Sequence, residues 1–95
     1  LAYRDLAVSV ARGKVNEYTD EIQALNDKLK EVRETLDRNP EDEVAIKQQN
    51  SINDSIESAQ DNLEKANQNL TEIKKRFTYD ENTFSDYTTK MYSLN

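Results

Sequence analysis

The sequence predicts an all-α fold, namely an antiparallel two-helix coiled-coil hairpin. Three observations predict it: two series of apolar residues at heptad spacing, a tight turn around a single proline between them, and a low apolar content. Apolar residues make up 35% of the 95 residues and charged residues 34%. This is too little apolar material for a spherical core, but a narrow seam between two helices needs no more. We expect helices over about residues 1–38 and 41–77. The second helix is expected to continue, or to break near residues 78–83, into a helical tail that reaches about residue 94.

The first predicted helix carries apolar residues at steps that alternate between three and four. This stepping gives a repeat of about 3.5 residues, which is typical of helices in a left-handed supercoil. The a and d positions of this series form the first half of the predicted seam: Val8, Ala11, Val15, Tyr18, Ile22, Leu25, Leu29, Val32 and Leu36.

The predicted turn lies at residues 38–41. Pro40 lacks an N–H and disfavours helix in the residue before it, so the first helix is expected to stop near Arg38. Asn39 is a favourable N-cap residue, and Pro40 is then expected at the first position of the second helix. So short a connection between two long helices predicts an antiparallel arrangement.

The second series has the same stepping. It begins at Ala45 and continues through the polar Gln49. The residues that follow form the second half of the predicted seam: Ile52, Ile56, Ala59, Leu63, Ala66, Leu70, Ile73 and Phe77.

The two series agree in register. When residues whose numbers sum to 81 are placed opposite each other, every a position of one helix meets a d position of the other. Large residues then face small ones, such as Ile22 opposite Ala59, and this alternation lets two helices approach closely without voids.

The C-terminal tail, residues 78–95, continues the apolar stepping but has no partner in the first helix. It contains the predicted partner-contact residues, which are Phe84, Tyr87, Met91, Tyr92 and Leu94. Three explanations stay open: a missing N-terminal segment covers the tail, the tail packs against another copy, or the helix breaks near residues 78–83 and folds back. An exposed aromatic stripe is unfavourable in water, so we expect a protein partner or self-association through the tail.

The composition excludes much chemistry. The chain has no His, Cys or Trp and only one Gly, so it offers no imidazole or thiolate metal site and no glycine-rich phosphate loop. We expect no catalytic residue, no bound metal and no cofactor. A net charge of −6 argues against nucleic acid as a partner. No segment is apolar enough to predict a transmembrane helix. The chain begins at Leu1, which suggests a single helical module excised from a larger protein.

The residues around the turn form a second candidate surface, the tip, which comprises Arg38, Glu41, Asp42 and Glu43. Three acids at the start of a helix are favoured by the helix dipole, and this explains them without any ligand. The alternative is that the tip is a functional surface that inserts into a basic channel of a larger protein.

No motif in the chain is specific to one family. The segment Asn39-Pro40-Glu41-Asp42 between amphipathic helices resembles the needle subunits of bacterial type III secretion systems. The long alternating hairpin is similar in architecture to the receptor-binding hairpins of nuclease bacteriocins. These resemblances imply a secreted assembly or toxin subunit as an alternative function. The sequence itself favours a non-enzymatic structural or protein-interaction module that mediates assembly or docking.

Overall fold

The computed structural model describes the backbone of residues 2–93 and the side chains of residues 3–77. Helix α1 spans Ala2–Arg38, and helix α2 spans Glu43–Ser93. The two helices pack against each other. Near the turn, Val32 lies beside Ile52, whereas at the other end Tyr3 contacts Phe77. The helices are therefore antiparallel, and the predicted all-α hairpin is confirmed.

The molecule is a rod. Its extents are 82 × 18 × 15 Å and its radius of gyration is 22.7 Å, against roughly 12 Å for a compact domain of this length. The cross-section accommodates two helices side by side, so every layer of the seam has solvent on both flanks. This is why apolar residues amounting to about a third of the chain suffice.

The turn differs from the prediction in its helix cap. A β-turn at residues 39–42 is closed by the Asp42 N–H, which donates to the Asn39 carbonyl at 3.1 Å, and Pro40 occupies its second position, where its fixed φ is favourable. α2 then begins at Glu43, and Asp42 rather than Asn39 is its N-cap. The Asp42 Oδ1 accepts a hydrogen bond from the Ala45 N–H at 3.0 Å.

Small residues dominate the most buried part of the seam. The relative exposure is 3% for Ala11, 6% for Leu29, 3% for Ala45 and 1% for Ala59. All other residues of the predicted seam are half-buried, including the polar Gln49. Three of the four most buried residues are therefore alanines, whereas Ala66 and every larger seam residue except Leu29 stay partly exposed.

Surface grooves between the helices support the predicted register. One groove brings Val32 together with Gln48 and Ile52, and another brings Ala7 and Ala11 together with Ile73. The numbers of these neighbours sum to values close to the predicted 81. The individual residue pairs stay predictions.

α2 is one continuous helix up to Ser93, so the backbone does not break near residues 78–83. By the register, residues 80–93 extend beyond Ala2, the first helical residue of α1. Within the part of the chain that the structure describes, neither helix has a stretch apolar enough to cross a bilayer.

Candidate functional site

The end of the rod opposite the turn carries the clearest candidate site. We call this the open end and define it as residues 2–16 of α1 and residues 66–77 of α2. A shallow groove, the open-end groove, runs along one side of it. The residues that line it are Tyr3, Leu6, Ala7, Val10, Ala11, Lys14, Asn69 and Ile73. Most of them are apolar, although the groove faces solvent.

Three large side chains of this groove are unusually exposed. Tyr3 is 77% exposed, Leu6 63% and Val10 62%. With Ala7, they follow helical spacing along α1, so they form a stripe on one face of the helix. The neighbouring seam residue Ala11 is buried against α2, which places the stripe beside the seam and outside it. Apolar residues clustered in this way on a surface are typical of contact sites.

An aromatic pair holds the outer end of the groove. The rings of Tyr3 and Phe77 lie edge to face, with centroids 6.3 Å apart and planes at 63°. This geometry is favourable for aromatic quadrupoles. The contact orients Tyr3 at the point where α1 begins and α2 continues alone.

The open end is basic. Residues 2–16 contain three bases and one acid, and residues 66–77 again contain three bases and one acid, so each segment carries a net charge of +2. On the side of the rod away from the open-end groove, Arg4, Arg12 and Lys74 line a second groove together with Asp5. In the sequence, the tail has three acids and one base, a net charge of −2. The basic open end is therefore followed along the chain by an acidic segment.

The tip residues are partly explained by the ends of the helices. Asp42 caps α2 as described above, and the Arg38 Nε donates to the Glu34 carbonyl at 3.4 Å near the end of α1. Glu41 and Glu43 are exposed. Among the described residues, no group of three or more His, Cys, Asp or Glu side chains is arranged to hold a metal ion.

The predicted seam residues are all buried or half-buried, and their individual pairing across the helices stays a prediction. The side chains of the predicted partner-contact residues lie outside the described part of the chain. These residues are Phe84, Tyr87, Met91, Tyr92 and Leu94. Within residues 3–77, no polar or charged residue is buried.

Sequence reasoning missed the apolar stripe of Tyr3, Leu6, Ala7 and Val10. A signal for it exists, because these residues occupy the c, f, g and c positions of the heptads and form a second apolar row beside the seam. A search for one apolar series per helix passes over such a row.

Comparisons with known protein families, with curated proteins and with solved structures find no match.

Proposed function

We propose that the chain is a non-enzymatic coiled-coil interaction module that mediates assembly or docking through its open end and C-terminal tail. The observation that carries the proposal is the open-end groove, where Tyr3, Leu6 and Val10 are each more than 60% exposed. Burying such side chains against a partner is favourable by about 25 cal/mol for each Å² of apolar surface.

The tail adds a second apolar surface at the same end. α2 continues as a helix to Ser93, and the sequence of this continuation repeats the spacing of the seam at Phe84, Tyr87 and Met91. Helices with such a stripe bind other helices or apolar grooves. The open-end groove and the adjoining tail helix are thus each suited to a protein partner.

The tip supports a functional role less well than the open end does. Of its three acids, Asp42 is engaged as the cap of α2, and Glu43 lies in the first helical turn, where the helix dipole favours a negative charge. An acidic tip that inserts into a basic channel therefore has less in its favour than docking at the open end.

Light scattering over a wide concentration range tests the proposal. The full chain is compared with a chain of residues 1–77, which keeps the contact between Tyr3 and Phe77, and circular dichroism verifies that both are helical. We expect the mass of the full chain to rise with concentration and the shorter chain to stay monomeric.

Two results would contradict docking through the open end and tail. One is equal association of both chains, which would place the contact outside the tail. The other is a full chain that stays monomeric while its Tyr87 and Met91 side chains are protected from hydroxyl-radical footprinting, because the tail would then be covered by its own hairpin. A monomer whose tail side chains are accessible to the radical would be consistent with docking on a different protein.

A further inference from the structure

We infer that the open-end groove receives the tail of a second copy of this chain, so that two hairpins join by their open ends around a two-fold axis. The inference rests on the proposed function and adds to it the occupant of the groove. It makes Tyr3, Leu6 and Val10 the receptor for a segment of the same sequence. Four features of the chain support it: length, direction, charge and area.

The tail and the groove match in length. The helical residues 80–93, which extend past the start of α1, span roughly 21 Å at 1.5 Å per residue. The groove runs from Tyr3 to Lys14, which is roughly 17 Å on the same rise. The tail of one copy therefore reaches along the full groove of another.

The direction of α2 determines which copy fills the groove. Because α2 is one continuous helix in a rod 82 Å long, its last residues point away from the groove of their own chain. They cannot turn back without breaking the helix. When a second copy lies in the opposite orientation, its tail lies along the groove of the first copy. The same two-fold rotation places the tail of the first copy along the groove of the second.

The charges are complementary. The open end carries a net +2 on α1 and a net +2 on α2, whereas the tail carries a net −2. Opposite net charges favour the encounter of the tail with the open end of another copy. The segment 41–64, which begins in the turn, carries a net −6. Placing the turns at the far ends of the dimer separates these two acidic segments.

The area is sufficient for a stable dimer. Each tail contributes Phe84 and Tyr87, and an aromatic side chain buries about 150–250 Å². Four aromatic side chains then bury about 600–1,000 Å², and the groove surfaces that they cover add a comparable amount. The total reaches the roughly 1,200–2,000 Å² of a specific protein interface. Because the operation is two-fold, the interface is closed and the assembly stops at two.

The test uses the full chain and three variants, with mass measured by analytical ultracentrifugation. The groove variant is Leu6→Glu with Val10→Glu, and the tail variant is Phe84→Glu with Tyr87→Glu. The matched control is Val44→Glu, because Val44 is an equally exposed apolar residue (66%) that lies near the turn. We expect the wild type and the control to dimerise, and the groove and tail variants each to dissociate with a Kd raised about 30-fold or more, as for the loss of a binding hot spot.

Mixing the two variants provides the sharper test. The groove variant keeps an intact tail and the tail variant keeps an intact groove, so an equimolar mixture restores one of the two contacts. We expect the mixture to form heterodimers at concentrations where each variant alone is monomeric. Circular dichroism verifies folding, and Leu6→Ser replaces the groove variant if the two added carboxylates disturb the helix.

Several results would overturn the inference. A tail variant that dissociates while the groove variant stays dimeric would mean that the tails pair with each other. Loss of the dimer in Val44→Glu would move the interface to the turn, and mass that grows without limit would indicate a head-to-tail filament. A wild type that is monomeric at every concentration would exclude a second copy as the occupant, while leaving the proposed docking on a different protein intact.

Discussion

Replacing Ala59 by Leu tests how closely the helices approach each other. Ala59 is the most buried residue described, with 1% of its surface exposed, and by the register it lies opposite Ile22. Leu adds three carbon atoms at a position that already has neighbours on all sides. The added atoms can be accommodated only if the helices separate or neighbouring side chains leave their preferred rotamers.

The expected cost follows from the surroundings of Ala59. Overpacking a well-filled core costs about 1–3 kcal/mol. Ile22 is half-buried and can move toward solvent, so we expect a loss of about 1–2 kcal/mol in the free energy of unfolding, in the lower part of that range. For a domain of this size, such a loss lowers Tm by about 4–16 °C. The assay is thermal unfolding followed by circular dichroism on dilute protein, because association would itself raise Tm.

Ala24→Leu is the control. Ala24 is exposed on α1, and Leu has nearly the same helix propensity as Ala, so we expect Tm to stay close to that of the wild type. If the Tm of Ala59→Leu equals that of Ala24→Leu and of the wild type, the helices do not approach each other closely at this layer. The reasoning about small residues in the seam would then be wrong.

Three further substitutions test other parts of the hairpin. Gly13→Ala is expected to stabilise α1 by about 0.5–1 kcal/mol, because a Cβ at Gly13 meets no atom within 4 Å; an unchanged or lower urea midpoint would contradict this. Asp42→Ala is expected to cost about 0.5–2 kcal/mol by removing the cap, while Asp42→Asn costs little; equal urea midpoints for the two would exclude the capping role. Ile22→Asp and Leu63→Asp each place a carboxylate in the seam and are expected to cost on the order of 3 kcal/mol; if both keep the wild-type thermal transition by circular dichroism, the seam is wrongly placed.

The helices could be predicted from the sequence because a two-helix rod has one apolar interface, and each helix must present one stripe to it. The steps of three and four define that stripe without any knowledge of the partner helix. The N-cap of α2 was predicted less accurately than the helices. Asn39 and Asp42 are both favourable N-cap residues, and the choice between them depends on the β-turn around Pro40, which the heptad pattern does not describe.

The open-end groove was harder to predict for a different reason. Tyr3, Leu6 and Val10 lie outside the a and d positions, and the same residues would fit a stripe covered by a third helix equally well. Their exposure becomes visible only when the structure shows what packs beside them. The occupant of the groove is harder still to predict from the sequence. Heptad spacing shows which face of a helix packs, but it does not identify the chain against which that face packs.

The tight turn at one end also determines the order in which the hairpin closes. Next to it, Leu36 and Ala45 are only nine residues apart in the chain, whereas Val8 and Ile73 at the open end are 65 apart. Joining the distant pair directly from an unfolded chain costs roughly 1.8 kcal/mol more in loop entropy. We therefore expect folding to proceed from the turn toward the open end, and local unfolding to start at the open end. On this order, the groove forms in the last step of folding and is the first feature lost when the rod frays.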